Sequence, residues 1–283
     1  MRNTKNMIKK FFLTAAFCVM VTMLTFVPTK SGSFGSVSVL AATTSVSTKT
    51  GGQLRTGGSL SVKVTGTGKI KSVKVSASND KVKVTSAKVN DKNKNNATVK
   101  VKGVSKGSAT LTIKVNYKDG SSVTKQVSLQ VYDLSKWNSV FKQLKKLGYT
   151  KNQALGIMAN LMWETGPVSS GNYSSFTLST LANGFINPTA SNGRYYGIFQ
   201  FADGRKSNLM SWCKKHDLSP KKVSSQLRFM DYELHNSERS AYNKLKNTES
   251  AYSAAYSFAA NYERCGYAYS MRGETAKRLD LFY

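Results

Sequence analysis

From about Thr43 to Tyr132 the apolar residues of this chain alternate, and after Asp133 they recur every three or four positions. Strand side chains change face at every residue, whereas helix side chains return after about 3.6 residues, so one kind of element cannot satisfy both patterns. The switch therefore predicts two domains of different class, an all-β sandwich followed by a mainly α domain. In the first, Leu60, Val62 and Val64 form one alternating set, Ile70, Val73 and Val75 a looser one, and Val82 with Val84 a third. Ala97, Val99 and Val101 follow, then Ala109, Leu111, Ile113 and Val115, and after Asp119-Gly120 the set Val123, Val127, Leu129 and Val131. β-Branched residues in period two, broken by Asn, Asp, Gly and Ser clusters, predict short antiparallel strands. Asp-Gly is a hairpin turn, because glycine accepts the positive φ required there. Roughly seven strands in this span fit a two-sheet sandwich.

In the second domain Trp137, Val140, Phe141, Leu144 and Leu147 share one helical face, and Gly148 ends that helix. Thr150, with Gln153 three residues on, makes a capping box ahead of a helix whose stripe is Ala154, Ile157, Met158 and Leu161. Further helices are predicted over 204–216, 223–234, 251–262 and 272–281, while the Gly/Asn/Ser/Thr-rich stretch 165–197 reads as too polar for a core.

The first residues bear on where the chain works. Arg2, Lys5, Lys9 and Lys10 precede an apolar run from Phe11 to Val27, the order of charge and apolarity found in export signals. Val39-Leu40-Ala41-Ala42 offers a small-residue cleavage site, so residues 1–42 are expected to be a signal peptide, 43–132 the β-sandwich and 133–283 the helical domain. An uncleaved anchor is the rival reading, because the run is near the lower limit for a membrane span. Pro28 and the Ala-Ala pair favour cleavage, leaving no stable membrane span and a secreted or cell-wall-associated protein.

The formal charge of +28, from 42 Lys+Arg against 14 Asp+Glu, favours a polyanionic partner. Export argues against chromosomal DNA. The first domain's cations are all lysine except Arg55, without the Arg-rich, aromatic-interleaved patches that nucleic acids select. An anionic wall polymer fits these lysines, and so does a plain solvated sheet face; nucleic acid is not an expected partner. Cys18 leaves with the leader, and for Cys213 and Cys265 a disulfide and two free thiols are both open. His216 and His235 are the only histidines and have no third ligand beside them, so neither metal nor cofactor is expected.

Chemistry is expected from carboxylates. Glu164 stands over Ile157, Asn160 and Leu161 at the end of its helix, and Thr165-Gly166-Pro167 stops that helix at once. Partial burial and the negative end of the helix dipole both favour a neutral carboxyl there, which suits a general acid; a surface Glu at a helix end is the plainer alternative. Around it stand Ala159-Asn160-Leu161-Met162-Trp163-Glu164-Thr165-Gly166, Gly193-Arg194-Tyr195-Tyr196-Gly197-Ile198-Phe199-Gln200-Phe201 and Asp203-Gly204-Arg205. Gln226-Leu227-Arg228-Phe229-Met230-Asp231-Tyr232-Glu233-Leu234 and Phe258-Ala259-Ala260-Asn261-Tyr262-Glu263-Arg264-Cys265-Gly266 follow. In this order and spacing, over about 136–270, they resemble the phage-tail-type lysozyme family of the lysozyme-like superfamily. In the first domain, Ser78-Asn79-Asp80-Lys81-Val82 and Gly103-Val104-Ser105-Lys106-Gly107-Ser108-Ala109-Thr110-Leu111 resemble a bacterial immunoglobulin-like group 2 module, which implies adhesion or spacing.

The resemblance implies that Glu164 is the catalytic glutamate and that peptidoglycan glycan strands are the substrate. Gln200 would bind sugar, Tyr195 or Tyr196 would stack on it, and Tyr262 falls in a cleft motif, while Ile198 and Phe199 read as core. Relatives carry Ser where Thr165 stands, which keeps a hydroxyl, and Thr or Gly where Asp203 stands. Asp203 reads as a helix N-cap or a second carboxylate, and Glu263 as a partner for an arginine or that second carboxylate. Two carboxylates would make a hydrolase of the β-1,4 bond between N-acetylmuramic acid and N-acetylglucosamine. Glu164 alone, with attack by the muramic acid C6 hydroxyl, would make a lytic transglycosylase. A non-catalytic wall-binding or adhesive protein is the reading from another class.

Overall fold

The computed structural model describes residues 42–184 and 186–283; the expected leader up to Ala41, with Cys18, lies outside the described residues. Eight strands come first: β1 (Thr44–Thr48), β2 (Gln53–Arg55), β3 (Ser59–Gly66), β4 (Ile70–Ala77), β5 (Val82–Val89), β6 (Asn96–Gly103), β7 (Gly107–Tyr117) and β8 (Ser122–Tyr132). They form two four-stranded sheets, ordered β1-β3-β6-β5 and β2-β8-β7-β4. The alternating sets face inward: Val62, Val64, Val99, Val101, Leu111, Ile113 and Val115 are all fully buried, as expected where two sheets share one core. Gly120, at φ 89°, turns β7 into β8.

The loose spacing Ile70, Val73, Val75 has a physical cause. A bulge between Ile70 and Ser72 inserts one residue and puts all three side chains back on the inner face. One expectation is corrected, because not every pairing is antiparallel. β2 runs parallel to β8, with Leu54 opposite Val131. After β1 the chain leaves one sheet through Gly51 and Gly52, both at positive φ, and joins the other edge beside β8. Three residues are too few to display a period.

The second domain contains α1 (Ser135–Lys146), α2 (Lys151–Glu164), α3 (Leu178–Asn183), β9 (Tyr195–Tyr196), β10 (Phe201–Ala202), α4 (Asp203–Lys215), α5 (Val223–His235), α6 (Arg239–Lys246), α7 (Ala251–Phe258) and α8 (Tyr269–Asp280). A π-helical turn, Ala259–Glu263, continues α7. The Thr150–Gln153 capping box starts α2. From Gln153 to Met162 every residue of α2 is buried, so this is a central helix enclosed on all sides. It meets α7 at Gly156, where a Cβ would lie 2.6 Å from the Cβ of Ala254; only glycine permits that approach.

The stretch 165–197 is not excluded from the core. Val168, Phe176, Leu178, Leu181 and Ile186 are buried, and the Trp137 indole donates to the Leu181 carbonyl at 3.1 Å. Its apolar anchors are irregularly spaced, so no period betrays them. Among the described residues no helix is long and apolar enough to cross a membrane.

The two domains touch through β2 and the C-terminal residues. Arg55 donates from Nε to the Phe282 carbonyl at 2.9 Å, and its guanidinium lies 4.2 Å from the centre of the Tyr283 ring. The Leu178 amide donates to Gln53 Oε1 at 3.0 Å. Tyr283 in turn packs on Phe141 of α1.

Candidate active site

Helix α2 delivers Glu164 to the floor of a cleft, with its side chain 19% exposed. Thr165 closes the helix, its hydroxyl donating to the Leu161 carbonyl at 2.7 Å. Opposite, α8 supplies Arg272, which is buried and holds Glu164 Oε1 at 2.7 Å from Nη2. Its Nη1 donates to Asn160 Oδ1 at 3.0 Å, and the Asn160 amide donates to the carbonyls of Gly156 and Ala255. One fully buried amide therefore joins α2, α7 and α8 beneath the carboxylate. Trp163 Nε1 donates to Thr275 Oγ1 at 3.0 Å, which fixes the residue next to Glu164.

A second carboxyl enters from the π-helical turn. The wider turn ends at Arg264 in the left-handed region, φ 53°, and directs Glu263 toward the cleft. Glu263 Oε1 is buried without a hydrogen-bond partner among the described residues, although the residue as a whole is only half-buried. Burial, then the nearby charge of Glu164, pushes its pKa up from 4.5 to about 8, against the opposing pull of Arg205 and Arg272. Glu263 makes no ion pair among the described residues, so the expected pairing with an arginine is not formed.

Behind Glu263 sits a closed polar cluster. Arg205 of α4 grips Glu233 of α5 with both ends of its fork, at 3.1 and 2.8 Å. The Tyr262 hydroxyl donates to Glu233 Oε2 at 2.6 Å, and burial pushes the Tyr262 pKa up, so the hydroxyl keeps its proton to donate. On the far wall Gly197, at φ 78°, lets Gln226 come so close that a Cβ would lie 2.2 Å from its Oε1. That oxygen accepts from the Ile198 amide at 2.8 Å, while Nε2 donates to the carbonyls of Pro188 and Pro220. Gln226 thus clamps the segment leading to Gln200.

Glu164, Glu263, Arg205, Arg272, Gln200 and Tyr195 face one cleft of about 610 Å³. Gln200 has φ 48°, and its Nε2 donates to the Gly197 carbonyl at 2.7 Å; left-handed non-glycine backbone of this kind gathers at functional sites. Tyr195 lines the cleft, whereas Tyr196 packs half-buried against the core. Tyr262 is fully buried behind the cleft wall, packed against the lining residues Phe199 and Arg205 and bonded to Glu233. Asp203 lies apart, 64% exposed and paired with Arg194 at 2.9 Å. It does not cap α4: it is the first helical residue, and Ala202 occupies the cap position without a side-chain bond. Cys213 and Cys265 are both free thiols.

Sequence reasoning did not assign Arg272, Asn160 or Glu233 to the site. Arg272 lies over a hundred residues from Glu164 and carried no local signal. Asn160 and Glu233 were inside the quoted stretches, as buried polar residues within apolar runs. Among the described residues no group of three His, Cys, Asp or Glu is placed to hold a metal.

A glutamate at the end of a buried helix, facing a cleft beside a short hairpin, defines a lysozyme-like domain, carried behind a β-sandwich. The chain belongs to the phage tail lysozyme family, whose model matches residues 135–281. No curated protein matches it. Among solved structures, domains 4 and 5 of the S-layer protein SbsC are similar at 26% identity and TM-score 0.25, over 31% of this chain and 50% of that one. The BIgI domain of beta protein from S. agalactiae bound to CEACAM1 is similar at 16% identity and TM-score 0.23, over 32% of this chain and 97% of that one. CopC from Methylosinus trichosporium OB3b gives 16% identity and TM-score 0.23, over 29% and 85%. The chain spans half of the first of these structures and 12% of a longer SbsC structure.

Proposed function

We propose that the protein is an exported, wall-associated muramidase that hydrolyses the β-1,4 bond between N-acetylmuramic acid and N-acetylglucosamine. The observation that carries this reading is the pair Glu164 and Glu263, two carboxyls electrostatically coupled in one cleft. Arg272 ion-pairs with Glu164 while Glu263 holds its proton well above the ordinary range, so the couple carries a proton at neutral pH. A hydrolase needs one carboxyl protonated and one ionised. In the reaction the couple's proton passes from Glu263 to Glu164, which gives it to the leaving glycosidic oxygen and leaves Glu263 ionised. Water attacks the anomeric carbon and Glu263, as carboxylate, takes the water's proton, so one water is added across the bond. Gln200 and Tyr195 hold the sugar. Tyr262 acts at one remove, through Glu233 and Arg205. Glu263 takes the second-carboxylate role in preference to Asp203, whose ion pair with Arg194 leaves it outside the cleft. The presence of Glu263 is also what favours hydrolysis over a single-acid transglycosylase. The lysine-rich sandwich serves as the adhesive part, holding the enzyme to anionic wall polymer.

The test is mass spectrometry of muropeptides released from purified peptidoglycan by the protein and by Glu164→Gln. Reducing muramic acid ends, absent with the variant, are expected. Anhydro ends would replace the hydrolase by a transglycosylase, and no release by the unsubstituted protein would refute enzymatic cleavage.

A further inference from the structure

We propose that the outer face of the sheet β1-β3-β6-β5 is a binding site for a phosphodiester-linked polyanion of the cell wall. This rests on the wall-adhesion reading above and assigns it to one surface. Lys63 on β3, Lys100 and Lys102 on β6, and Lys83 and Lys88 on β5 are all exposed. Cross-strand pairing sets them in rows: Lys102 stands directly opposite Lys83, and Thr98 joins Lys63 to Lys88. Neighbouring strands are about 4.8 Å apart and alternate residues on a strand about 6.7 Å, within the screening length of about 8 Å at physiological salt. Like charges directly opposite one another oppose sheet formation. Even so, none of the five has an ion pair among the described residues. The three acids of the sandwich, Asp80, Asp91 and Asp119, lie outside its strands.

Protection of an exposed sheet edge would account for Lys83 and Lys88, because β5 is an edge strand. It does not account for Lys63, Lys100 and Lys102, because β3 and β6 are the two central strands. The rest of the face is hydroxyl and amide: Ser59, Ser61 and Thr98 flank the lysines. At the β1 side this surface deepens into a groove of about 590 Å³, reached by Lys49 and Lys63 and bordered by Leu281 from the second domain. Lysine is a point charge that meets phosphate without fixed geometry, and hydroxyls suit the polyol between phosphates. Nucleic acid fits less well. No aromatic side chain lies on the strands of this sheet, and the sandwich's single arginine, Arg55, is engaged at the domain contact.

The experiment measures binding of purified poly(glycerol phosphate) at several salt concentrations. It compares the unsubstituted protein, the triple variant Lys63→Gln/Lys100→Gln/Lys102→Gln, and a charge-matched control on the opposite sheet, Lys71→Gln/Lys74→Gln/Lys114→Gln. All six positions are exposed, so both variants keep their cores. The first variant is expected to lose about tenfold in affinity at physiological salt and to flatten the salt dependence; the control is expected to lose less than about twofold. Equal losses would show diffuse attraction by net charge and overturn the assignment. Absence of binding by the unsubstituted protein would overturn it too, as would equal or tighter binding of single-stranded DNA. Cleavage of polymer-free glycan strands by the unsubstituted protein is read in parallel. If it fails, the muramidase reading falls while the binding result stands.

Discussion

Replacing Glu263 with Gln keeps the side chain's size and removes its titration. In the folded protein this carboxyl is protonated up to about pH 8, whereas the unfolded chain releases the proton near its ordinary value of 4.5. Between those values the folded state binds more protons than the unfolded one, so stability falls as pH rises and levels off above about pH 8. At about 1.4 kcal/mol per unit the ceiling of this loss is about 5 kcal/mol, and relaxation with water entry brings the expectation to about 2–4 kcal/mol. Urea unfolding from pH 4.5 to 9 should show the wild type losing ground to Glu263→Gln, with the two matched at the acid end. Curves that run parallel across the range would refute the burial argument. Catalysis should follow the same proton. Wild-type turnover should drop as pH rises through about 8, where the couple loses its last proton, and Glu263→Gln should lower kcat by about 10²–10⁴-fold.

Arg272→Ala removes the partner of Glu164 and of Asn160; leaving them unpaired in the interior should cost about 3–5 kcal/mol in denaturant unfolding. Gly197→Ala places a Cβ against Gln226 at positive φ, and a loss of about 2–4 kcal/mol is expected. Muropeptide release should fall with it, because Gln226 holds the turn between β9 and β10 that carries Gln200. Arg55→Ala removes the bond to Phe282 and the contact with Tyr283. Calorimetry should then show the two domains' transitions moving apart, with an unchanged profile counting against a fixed docking.

Much of the architecture was written along the chain. Period-two runs from Leu60 to Val131 and the capping box at Thr150 are local signals, because side-chain direction follows from position within a strand or helix. The four stretches around Glu164, Gly197, Gln226 and Tyr262 also announced one domain. Where the anchors lose their period the signal failed: Val168, Phe176 and Ile186 enter the core from an irregular stretch, and β2 is too short to alternate.

The site itself was divided between the two levels. The sequence by itself determined which carboxyls were available and that Glu164 ends a buried helix, because helix phase and a stop signal are short-range properties. Tertiary structure alone decided what surrounds them. It brought Arg272 from α8 to Glu164, sent Asp203 to Arg194 at the surface and buried Tyr262 on Glu233. It also raised the proton affinity of Glu263 by placing that carboxyl out of water beside Glu164. Desolvation and charge–charge coupling depend on distance in space, and residues far apart along the chain carry no mark of how near they will come.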